Sequence, residues 1–275
     1  MVTITLDADR CTQCGKCIAM FDGYCITGRS GYPVFDPLVC NTCQKCVAIC
    51  PTRAILVNGV YAEKIDSTPV LTADELERFL ERRRSTKLFR DKPLSRDLVE
   101  RIVASARYAP NQNKNITVHV VTDPGILKLM DESALRIIRR TRRVLFGFPP
   151  LTWFFSLFSR NLTVIRRKMD RDLVQRGAVL KKNAQAAIIL TGDKRVPVTE
   201  HSAPYLLSTM GLVAQSLGVG SCLMDALLLS LRISRALRDR LAIRENVLGV
   251  MLLGYSAEAI VNIPRGYQVE SVWHD

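Results

Sequence analysis

The sequence predicts an α+β protein of two domains, in which a small cysteine-rich domain precedes a larger one with helices around a mostly antiparallel or mixed sheet. Three observations predict this. Eight of the nine cysteines lie within the first 50 residues of the 275-residue chain. Helix and strand patterns follow one another over the remainder without strict βα alternation. A hydrophobic share of 48% is that of a folded chain with a sizeable core, and the length suits about two domains.

The eight N-terminal cysteines form two runs with the spacing of metal ligands. The runs are Cys11-x2-Cys14-x2-Cys17-x7-Cys25 and Cys40-x2-Cys43-x2-Cys46-x3-Cys50-Pro51. The second is the complete bacterial iron–sulfur run, in which three cysteines hold one cluster and the fourth ligates the other. Thiolates also suit zinc or cuprous copper, but a structural zinc site closes with four ligands, commonly two pairs. Two triplets, each with an additional cysteine, therefore predict two 4Fe–4S clusters, with zinc and disulfides as weaker alternatives.

The first run departs from the usual spacing at its fourth cysteine. Phe21 occupies the position where that cysteine is expected, and Cys25 comes four residues later. We interpret the difference as a loop insertion, with Cys25 still a ligand. Crossed pairing then gives one cluster to Cys11, Cys14, Cys17 and Cys50, and the other to Cys25, Cys40, Cys43 and Cys46. Residues 1–60 resemble a two-cluster bacterial ferredoxin.

A polar segment separates the two domains. Residues 54–57 predict a short strand, Asn58-Gly59 a turn and residues 60–61 the returning strand. The polar residues that follow predict a linker. The expected divisions are a ferredoxin-like domain at 1–62, a linker at 63–71 and a second domain at 72–275.

The second domain opens with a capped helix. Thr72-x-x-Glu75 is a capping box, and Leu76, Phe79 and Leu80 share one helical face after it. Hydrophobic periodicity predicts a long helix from near Pro124 and further helices at about 95–108, 203–217 and 230–241. Apolar runs predict strands at 118–121, 186–191 and 247–253.

A basic run follows the first helix of that domain, Arg82-Arg83-Arg84-Ser85-Thr86-Lys87. Arginine binds phosphate through two parallel hydrogen bonds, and a serine hydroxyl adds a donor. By itself the run is also typical of a solvated basic helix end, which the helix dipole favours. The run alone therefore does not identify a phosphate site.

Four segments, taken in order, resemble the nitroreductase family. They are Arg83-Arg84-Ser85-Thr86-Lys87-Leu88-Phe89, Ala106-Arg107-Tyr108-Ala109-Pro110-Asn111-Gln112-Asn113, Leu217-Gly218-Val219-Gly220-Ser221-Cys222, and Leu253-Gly254-Tyr255-Ser256 with the later Pro264-Arg265 and Val272-Trp273-His274. The resemblance covers about residues 72–275. It implies an α+β fold and a homodimer with FMN at the interface, contacted from both subunits.

The resemblance implies how the phosphate and the ring of FMN would be held. Arg83, Arg84 and Ser85 would bind the phosphate, joined by Arg265 from the C-terminal end. Lys87 would lie near the pyrimidine edge, where a cation stabilises the anionic reduced flavin.

Other contacts implied by the resemblance come from loops. Pro110 and Asn111 would contact the FMN of the partner subunit, and either Asn113 or Lys114 matches the family's asparagine. The family often has Glu-Gly beside the reactive flavin N5, where this chain has Asp225-Ala226. The backbone groups beside N5 would belong to Leu223, Met224, Asp225 and Ala226.

No side-chain nucleophile or acid is assigned, because a flavin carries the redox chemistry while the protein orients it and tunes its electronics. We expect Cys222 to be a packed core thiol. His119, His201 and His274 do not have the spacing of metal ligands, and His119 lies on a predicted strand. We expect His119 to be structural.

The net charge of +13 arises mainly in residues 131–182, which hold 13 Lys or Arg and four Asp or Glu. Within them, residues 144–159 are 16 positions without a charge, too short to span a bilayer and interrupted by Pro149-Pro150. Three interpretations stay open. The stretch is a substrate lid over the flavin, which we favour, an arm around the partner subunit, or a docking segment for an anionic membrane surface. The last uses its basic flanks and Trp153, Phe154, Phe155 and Phe158.

The sequence thus predicts an FMN-dependent reductase of small electron-poor molecules such as nitroaromatics or quinones. Electrons would pass from an external reductant through two 4Fe–4S clusters to FMN. The alternative is an electron-transfer protein that serves a protein partner. Reduced ferredoxin or NAD(P)H is the expected donor, although no Rossmann glycine motif is present. We expect a cytoplasmic homodimer, and no motif supports nucleic-acid binding.

Overall fold

A computed structural model shows how the predicted elements assemble. It describes residues 2–21, 24–66, 68, 71–110, 115–147, 162–171, 173, 178–180, 183–193, 195, 197–264 and 270–274. Within this part of the chain, no helix is both long enough and apolar enough to cross a membrane.

The cysteine-rich part consists of short strands and helices. Its elements are β1 (Ile4–Leu6), α1 (Lys16–Phe21), β2 (Ile26–Arg29), β3 (Tyr32–Phe35), α2 (Lys45–Ile49), β4 (Ile55–Val57) and β5 (Val60–Tyr61). Strands β1, β4 and β5 form one antiparallel sheet, and β2 and β3 form a hairpin. The predicted closing strands are confirmed. Their turn uses left-handed Asn58 (φ 50°) and Gly59 (φ 78°), the backbone that an Asn-Gly hairpin favours.

The other elements among the described residues belong to the second part of the chain. They are α3 (Ala73–Glu81), α4 (Arg96–Ala104), a 3-10 turn (Ser105–Tyr108), β6 (Ile116–Val121), α5 (Pro124–Phe146), α6 (Leu162–Asp170), β7 (Ala186–Gly192), α7 (Pro197–Ser216), β8 (Gly220–Leu223), α8 (Asp225–Ile233), α9 (Arg235–Arg240) and β9 (Asn246–Gly254). The strand order is β6-β7-β9-β8, and each neighbouring pair is antiparallel. The predicted α+β architecture with a mostly antiparallel sheet is confirmed.

This four-stranded sheet lies between two layers of helices. All seven residues of β7 are buried, because successive side chains point to opposite faces and both faces are covered. Ile189 belongs to the same buried cluster as Met130 of α5 and Leu227 of α8. Ile188 belongs to the cluster on the other face with Met210 of α7. A third cluster, in the cysteine-rich part, includes no described residue beyond Ala62.

The capping box that opens α3 is confirmed. The Thr72 hydroxyl accepts from the Glu75 N–H at 3.3 Å, and the Thr72 N–H donates to the Glu75 carboxylate at 2.8 Å. The face expected to be apolar is poorly covered in one chain, since Leu76 and Leu80 are 44% and 42% exposed. These side chains form an apolar surface patch on α3.

Two predicted helices need correction, and one strand was missed. The helix predicted from 203 begins at Pro197, so Pro204 lies inside it. The helix predicted at 230–241 is two helices that break at Ser234, whose hydroxyl caps α9 by accepting from the Leu237 N–H at 3.3 Å. Strand β8 was not predicted, because its four residues are too few to show a period.

Candidate active site

The structure brings together the four cysteines assigned to the first cluster. One cavity between α1, the β2–β3 hairpin and the start of β4 is lined by Cys11, Cys14, Cys17 and Cys50. Burial, and then the charges of Cys14 and Cys50, raise the pKa of Cys17. This grouping is the crossed arrangement, in which the last cysteine of the second run joins the first three of the chain.

The other four cysteines form a second group that includes Cys25. Its side chain is 6% exposed and lies in the same buried cluster as Cys46. Burial, and then the charges of Cys40 and Cys43, raise the pKa of Cys25. Burial raises the pKa of Cys46 to about 12. Because iron binds thiolates, loading this group with a cluster would release protons.

Both cysteine loops use the same unusual backbone conformation. Gln13 (φ 51°) and Gly15 (φ 70°) in the first loop occupy the positions of Thr42 (φ 55°) and Gln44 (φ 61°) in the second. Left-handed conformations at non-glycine residues are uncommon and turn backbone N–H groups toward a concavity. Two copies of this loop fit two anionic groups of the same kind.

A backbone donor reaches one of the sulfurs directly. The Ala54 N–H donates to Cys50 Sγ at 3.2 Å. Burial alone would raise the pKa of Cys50, but this bond and those involving Thr52 outweigh it and lower the pKa. Such N–H···S bonds stabilise a thiolate and tune the potential of a bound cluster. Among the described residues, no three His, Cys, Asp or Glu side chains lie close enough together to hold a single metal ion.

The basic run of the second part lies along β8, an edge strand of the sheet. The Thr86 N–H donates to the Ser221 carbonyl at 2.9 Å, and the Arg90 N–H donates to the Tyr255 carbonyl at 2.7 Å. An isolated antiparallel bridge joins Phe89 to Ser256. Segments that are more than 100 positions apart in the sequence thus meet at one edge of the sheet.

Two glycines permit this close approach. A Cβ at Gly220 would lie 2.3 Å from Thr86 Oγ1, and one at Gly254 would lie 2.8 Å from Phe89 Cδ1. Real Cβ atoms do not approach other atoms this closely, so side chains at these positions would separate the basic run from the sheet. The glycines are therefore required by packing.

The side chains of the basic run divide between two environments. Arg84 and the buried Thr86 line a cavity of about 200 Å³ together with Arg82, Ser221 and Glu258. The Arg84 guanidinium also donates to the Arg83 carbonyl at 2.6 Å. Arg83 and Ser85 are exposed and do not line this cavity. Arg84 therefore lies in a different environment from Arg83 and Ser85, and Arg265 lies outside the described residues.

Lys87 extends toward the end of β8. Its Nζ is 3.7 Å from Cys222 Sγ, and Cys222 is 2% exposed, in contact with Met224 Sδ at 3.9 Å. The expectation that Cys222 is a packed core thiol agrees with this burial. The next residue, Leu223, is 58% exposed. The ammonium of Lys87 therefore lies beside the strand that leads into α8.

The predicted backbone contacts lie at the start of α8. Met224 is the N-cap of this helix and provides no side-chain hydrogen bond to its first turn, while Asp225 is exposed and Ala226 is half-buried. A helix N-terminus without a side-chain cap presents N–H donors and the positive end of the helix dipole.

Pro110 is exposed just after the 3-10 turn. Asn111, Asn113 and Lys114 lie outside the described residues.

The histidines do not contribute to this arrangement. His119 Nε2 lies 3.1 Å from the hydroxyl of buried Thr191, which donates to the Glu245 carboxylate at 3.0 Å. Burial lowers the pKa of His119, which agrees with a structural role. His201 and His274 are exposed.

Sequence reasoning missed Glu258, whose carboxylate accepts from the Lys87 N–H at 2.9 Å.

Comparison with known proteins agrees with both parts of this description. Residues 80–255 match the model of the nitroreductase family. At its N-terminal region the chain is similar to an uncharacterized ferredoxin of Methanocaldococcus jannaschii, with 32% identity over 73 residues that cover 24% of this chain and 90% of that protein.

Solved structures share the fold of the second part. A nitroreductase from Desulfitobacterium hafniense with bound FMN matches with a TM-score of 0.54 and 17% identity. The match covers 71% of this chain and 97% of the Desulfitobacterium hafniense chain. A nitroreductase with bound FMN from Bacteroides fragilis matches with a TM-score of 0.55 and 18% identity over 72% and 97% of the two chains. The chain belongs to the nitroreductase family and carries a ferredoxin-like N-terminal part ahead of the family's α+β fold.

Proposed function

We propose that the protein is an FMN-dependent reductase that takes electrons through two 4Fe–4S clusters and reduces small electron-poor molecules such as nitroaromatics or quinones. The observation that carries the flavin site is the position of Lys87, held along β8 with its ammonium 3.7 Å from Cys222 Sγ. This places a cation beside the exposed Leu223 and the N-terminus of α8. The related structures that contain FMN support the same choice of cofactor.

The residues present fit a phosphorylated flavin at this edge of the sheet. Arg83 and Ser85, both exposed, would bind the phosphate, with Arg265 from the C-terminal segment. Arg84 would support them from the adjoining cavity through its bond to the Arg83 carbonyl. Lys87 would lie at the pyrimidine edge, where positive charge favours the anionic reduced flavin.

The uncapped start of α8 supplies the second part of the proposed flavin site. The N–H groups of the first turn, at Asp225 and Ala226, would face the flavin near N5. The change from the family's Glu-Gly to Asp-Ala retains a backbone N–H at each position. When bound, FMN supplies the ability to accept electrons singly and to deliver them in pairs.

The two groups of cysteines fit iron–sulfur clusters in number, grouping and local donors. One cluster would be held by Cys11, Cys14, Cys17 and Cys50, and the other by Cys25, Cys40, Cys43 and Cys46. Fusion to the flavin domain keeps this electron source at high effective concentration. Reduced ferredoxin or NAD(P)H is the proposed external donor.

A homodimer is part of the proposal, since one chain leaves apolar surface uncovered. The patch formed by Leu76 and Leu80 on α3 is exposed, and near the C-terminus Val272 and Trp273 are 73% and 84% exposed. Large exposed apolar side chains of this kind commonly mark association surfaces. In such a dimer Pro110 and Asn111 would contact the FMN of the partner subunit, together with Asn113 or Lys114.

Flavin titration of Arg83→Ala and Arg84→Ala tests the phosphate assignment. Loss of a charge-assisted hydrogen bond weakens binding by about 1.5–3 kcal/mol, so we expect the FMN dissociation constant to rise by about tenfold to a hundredfold in Arg83→Ala. Arg101→Ala, an exposed substitution on α4, should leave it unchanged. An unaltered dissociation constant in both Arg83→Ala and Arg84→Ala would contradict the assignment. Anaerobic turnover of a nitroaromatic and of a quinone then tests the proposed reaction.

A further inference from the structure

The second half of α5 and helix α6 form a projection, although Ile138 of α5 still packs against the core. The buried residues of α5 end at Leu135, and no described residue from Arg136 to the end of the helix at Phe146 is buried. This half of α5 packs against α6, where Asp170 forms ion pairs with Arg142 and with Arg166, the latter at 3.9 Å. We call the described residues 136–147 and 162–171 the basic projection.

The charge of this region is almost entirely positive. The sequence from 136 to 171 contains ten Lys or Arg and one Asp, and that Asp170 is already engaged by two arginines. The exposed basic residues of the projection are Arg136, Arg139, Arg140, Arg143, Arg166, Arg167, Lys168 and Arg171. A merely solvated helical face usually mixes both signs of charge. The imbalance therefore indicates an extended anionic partner.

Apolar side chains are exposed at the end of the projection where α5 and α6 approach the segment that joins them. Val144 is 53% exposed, Val164 is 50% exposed and Ile165 is 37% exposed. The sequence between the helices continues this character, since residues 144–159 carry no charge and include Trp153 and three phenylalanines at 154, 155 and 158. Residues 148–161 themselves lie outside the described part, so the lid interpretation stays a prediction.

Apolar residues beside a basic face distinguish between anionic partners. The phosphate backbone of nucleic acids attracts arginines but offers no apolar surface to exposed valine and isoleucine next to them. An anionic bilayer satisfies both, because its headgroups attract the arginines while its acyl boundary accepts the apolar side chains. We propose that the basic projection docks the protein on an anionic membrane surface without crossing it.

Sedimentation with lipid vesicles tests this proposal on the intact protein loaded with its cofactors. We expect the wild type to sediment with vesicles of phosphatidylcholine and phosphatidylserine, and not with phosphatidylcholine alone. Added salt should weaken the binding, because it screens the arginines. Each basic residue near a charged surface contributes about fivefold in affinity, so Arg139→Glu with Arg143→Glu should lower vesicle binding by much more than tenfold.

Matched variants distinguish binding through the basic projection from attraction by the net charge of the whole protein. Arg101→Glu with Arg240→Glu makes the same change in net charge at exposed positions outside the projection, and should retain most of the binding. Val144→Ser with Val164→Ser should weaken binding to anionic vesicles while leaving salt-dependent retention on an anionic resin unchanged. That combination shows that the apolar side chains contact lipid.

Several results would overturn the proposal. One is absence of the wild type from the pellet of anionic vesicles. Another is an equal loss of vesicle binding in the two double arginine variants, because binding would then depend only on the net charge of the protein. If Val144→Ser with Val164→Ser changes the oligomeric state and not vesicle binding, the apolar end covers a second copy of the chain. If it changes only the Michaelis constant of a soluble substrate, the projection belongs to a lid. None of these measurements of binding depends on the proposed reaction.

Discussion

The Lys87 backbone N–H donates to the Glu258 carboxylate at 2.9 Å, which joins two residues that are 171 positions apart in the chain. Nearby, the Ala257 N–H donates to the Leu88 carbonyl at 3.0 Å. The C-terminal segment thus holds the backbone of the basic run at two further positions. We expect the placement of the Lys87 ammonium to depend on this contact.

Glu258→Ala should therefore weaken FMN binding without removing any proposed flavin contact. A hydrogen bond of this kind is worth about 0.5–1.5 kcal/mol, so the FMN dissociation constant should rise by about twofold to tenfold in a flavin titration. Glu258→Gln retains an acceptor and should bind nearly as the wild type does. Equal affinity for FMN in Glu258→Ala and the wild type would mean that the contact does not position the basic run.

Gly220→Ala should destabilise the second part of the chain. The added methyl would meet Thr86 Oγ1 at 2.3 Å, and overpacking of this kind commonly lowers the free energy of unfolding by about 1–3 kcal/mol. The companion change Thr86→Ala removes that oxygen and should restore part of the loss. Denaturant titration measures both.

Gly211→Ala on α7 is the control for that experiment. Its methyl would lie 3.4 Å from Ser221 Oγ, an ordinary contact, and alanine favours the helix by about 1 kcal/mol. We expect it to be neutral or stabilising. If Gly220→Ala behaves in the same way, the close approach of Thr86 to β8 is not present in solution.

Iron content tests the role of Cys25. Anaerobically purified wild type should contain about eight irons per chain, from two four-iron clusters, and Cys25→Ala should retain only one intact four-iron cluster. Cys222→Ala removes the buried thiol near Lys87 and should leave the iron content unchanged. About four irons in the wild type, with no change in Cys25→Ala, would show that Cys25 is not a ligand.

The free energy of unfolding should vary with pH because of His119. Burial lowers the pKa of His119 in the folded chain, although the charge of Glu245 opposes this, so the unfolded chain binds the proton more readily. Stability from the neutral histidine is present above the unfolded pKa of about 6.5 and is lost as the pH falls through it. His119→Gln should flatten that decline relative to the wild type, whereas exposed His274→Gln should not. A steeper decline in His119→Gln would contradict the assignment.

The cysteine spacing, the closing hairpin at Asn58-Gly59 and the capping box at Thr72 could be predicted from the sequence, because each depends on residues close together in the chain. The break at Ser234 could not, since residues on both sides continue the same apolar period. The contact between Lys87 and Glu258 was also inaccessible, because no local pattern relates residues so far apart. The division of Arg83 from Arg84 depends on how the basic run meets β8, which only the assembled sheet determines.

The cysteine-rich part is proposed to deliver electrons to a flavin held by the rest of the chain. The most direct measurement is anaerobic reduction of bound FMN, followed by flavin absorbance, with reduced ferredoxin, NADPH and NADH compared side by side in the wild type, Cys14→Ala and Cys222→Ala. We predict that the productive donor reduces the flavin about tenfold or more slowly in Cys14→Ala, because the tethered route is lost, and at the wild-type rate in Cys222→Ala. Equal rates in the wild type and Cys14→Ala, with a cluster missing from the variant, would show that the flavin receives its electrons without passing through the clusters.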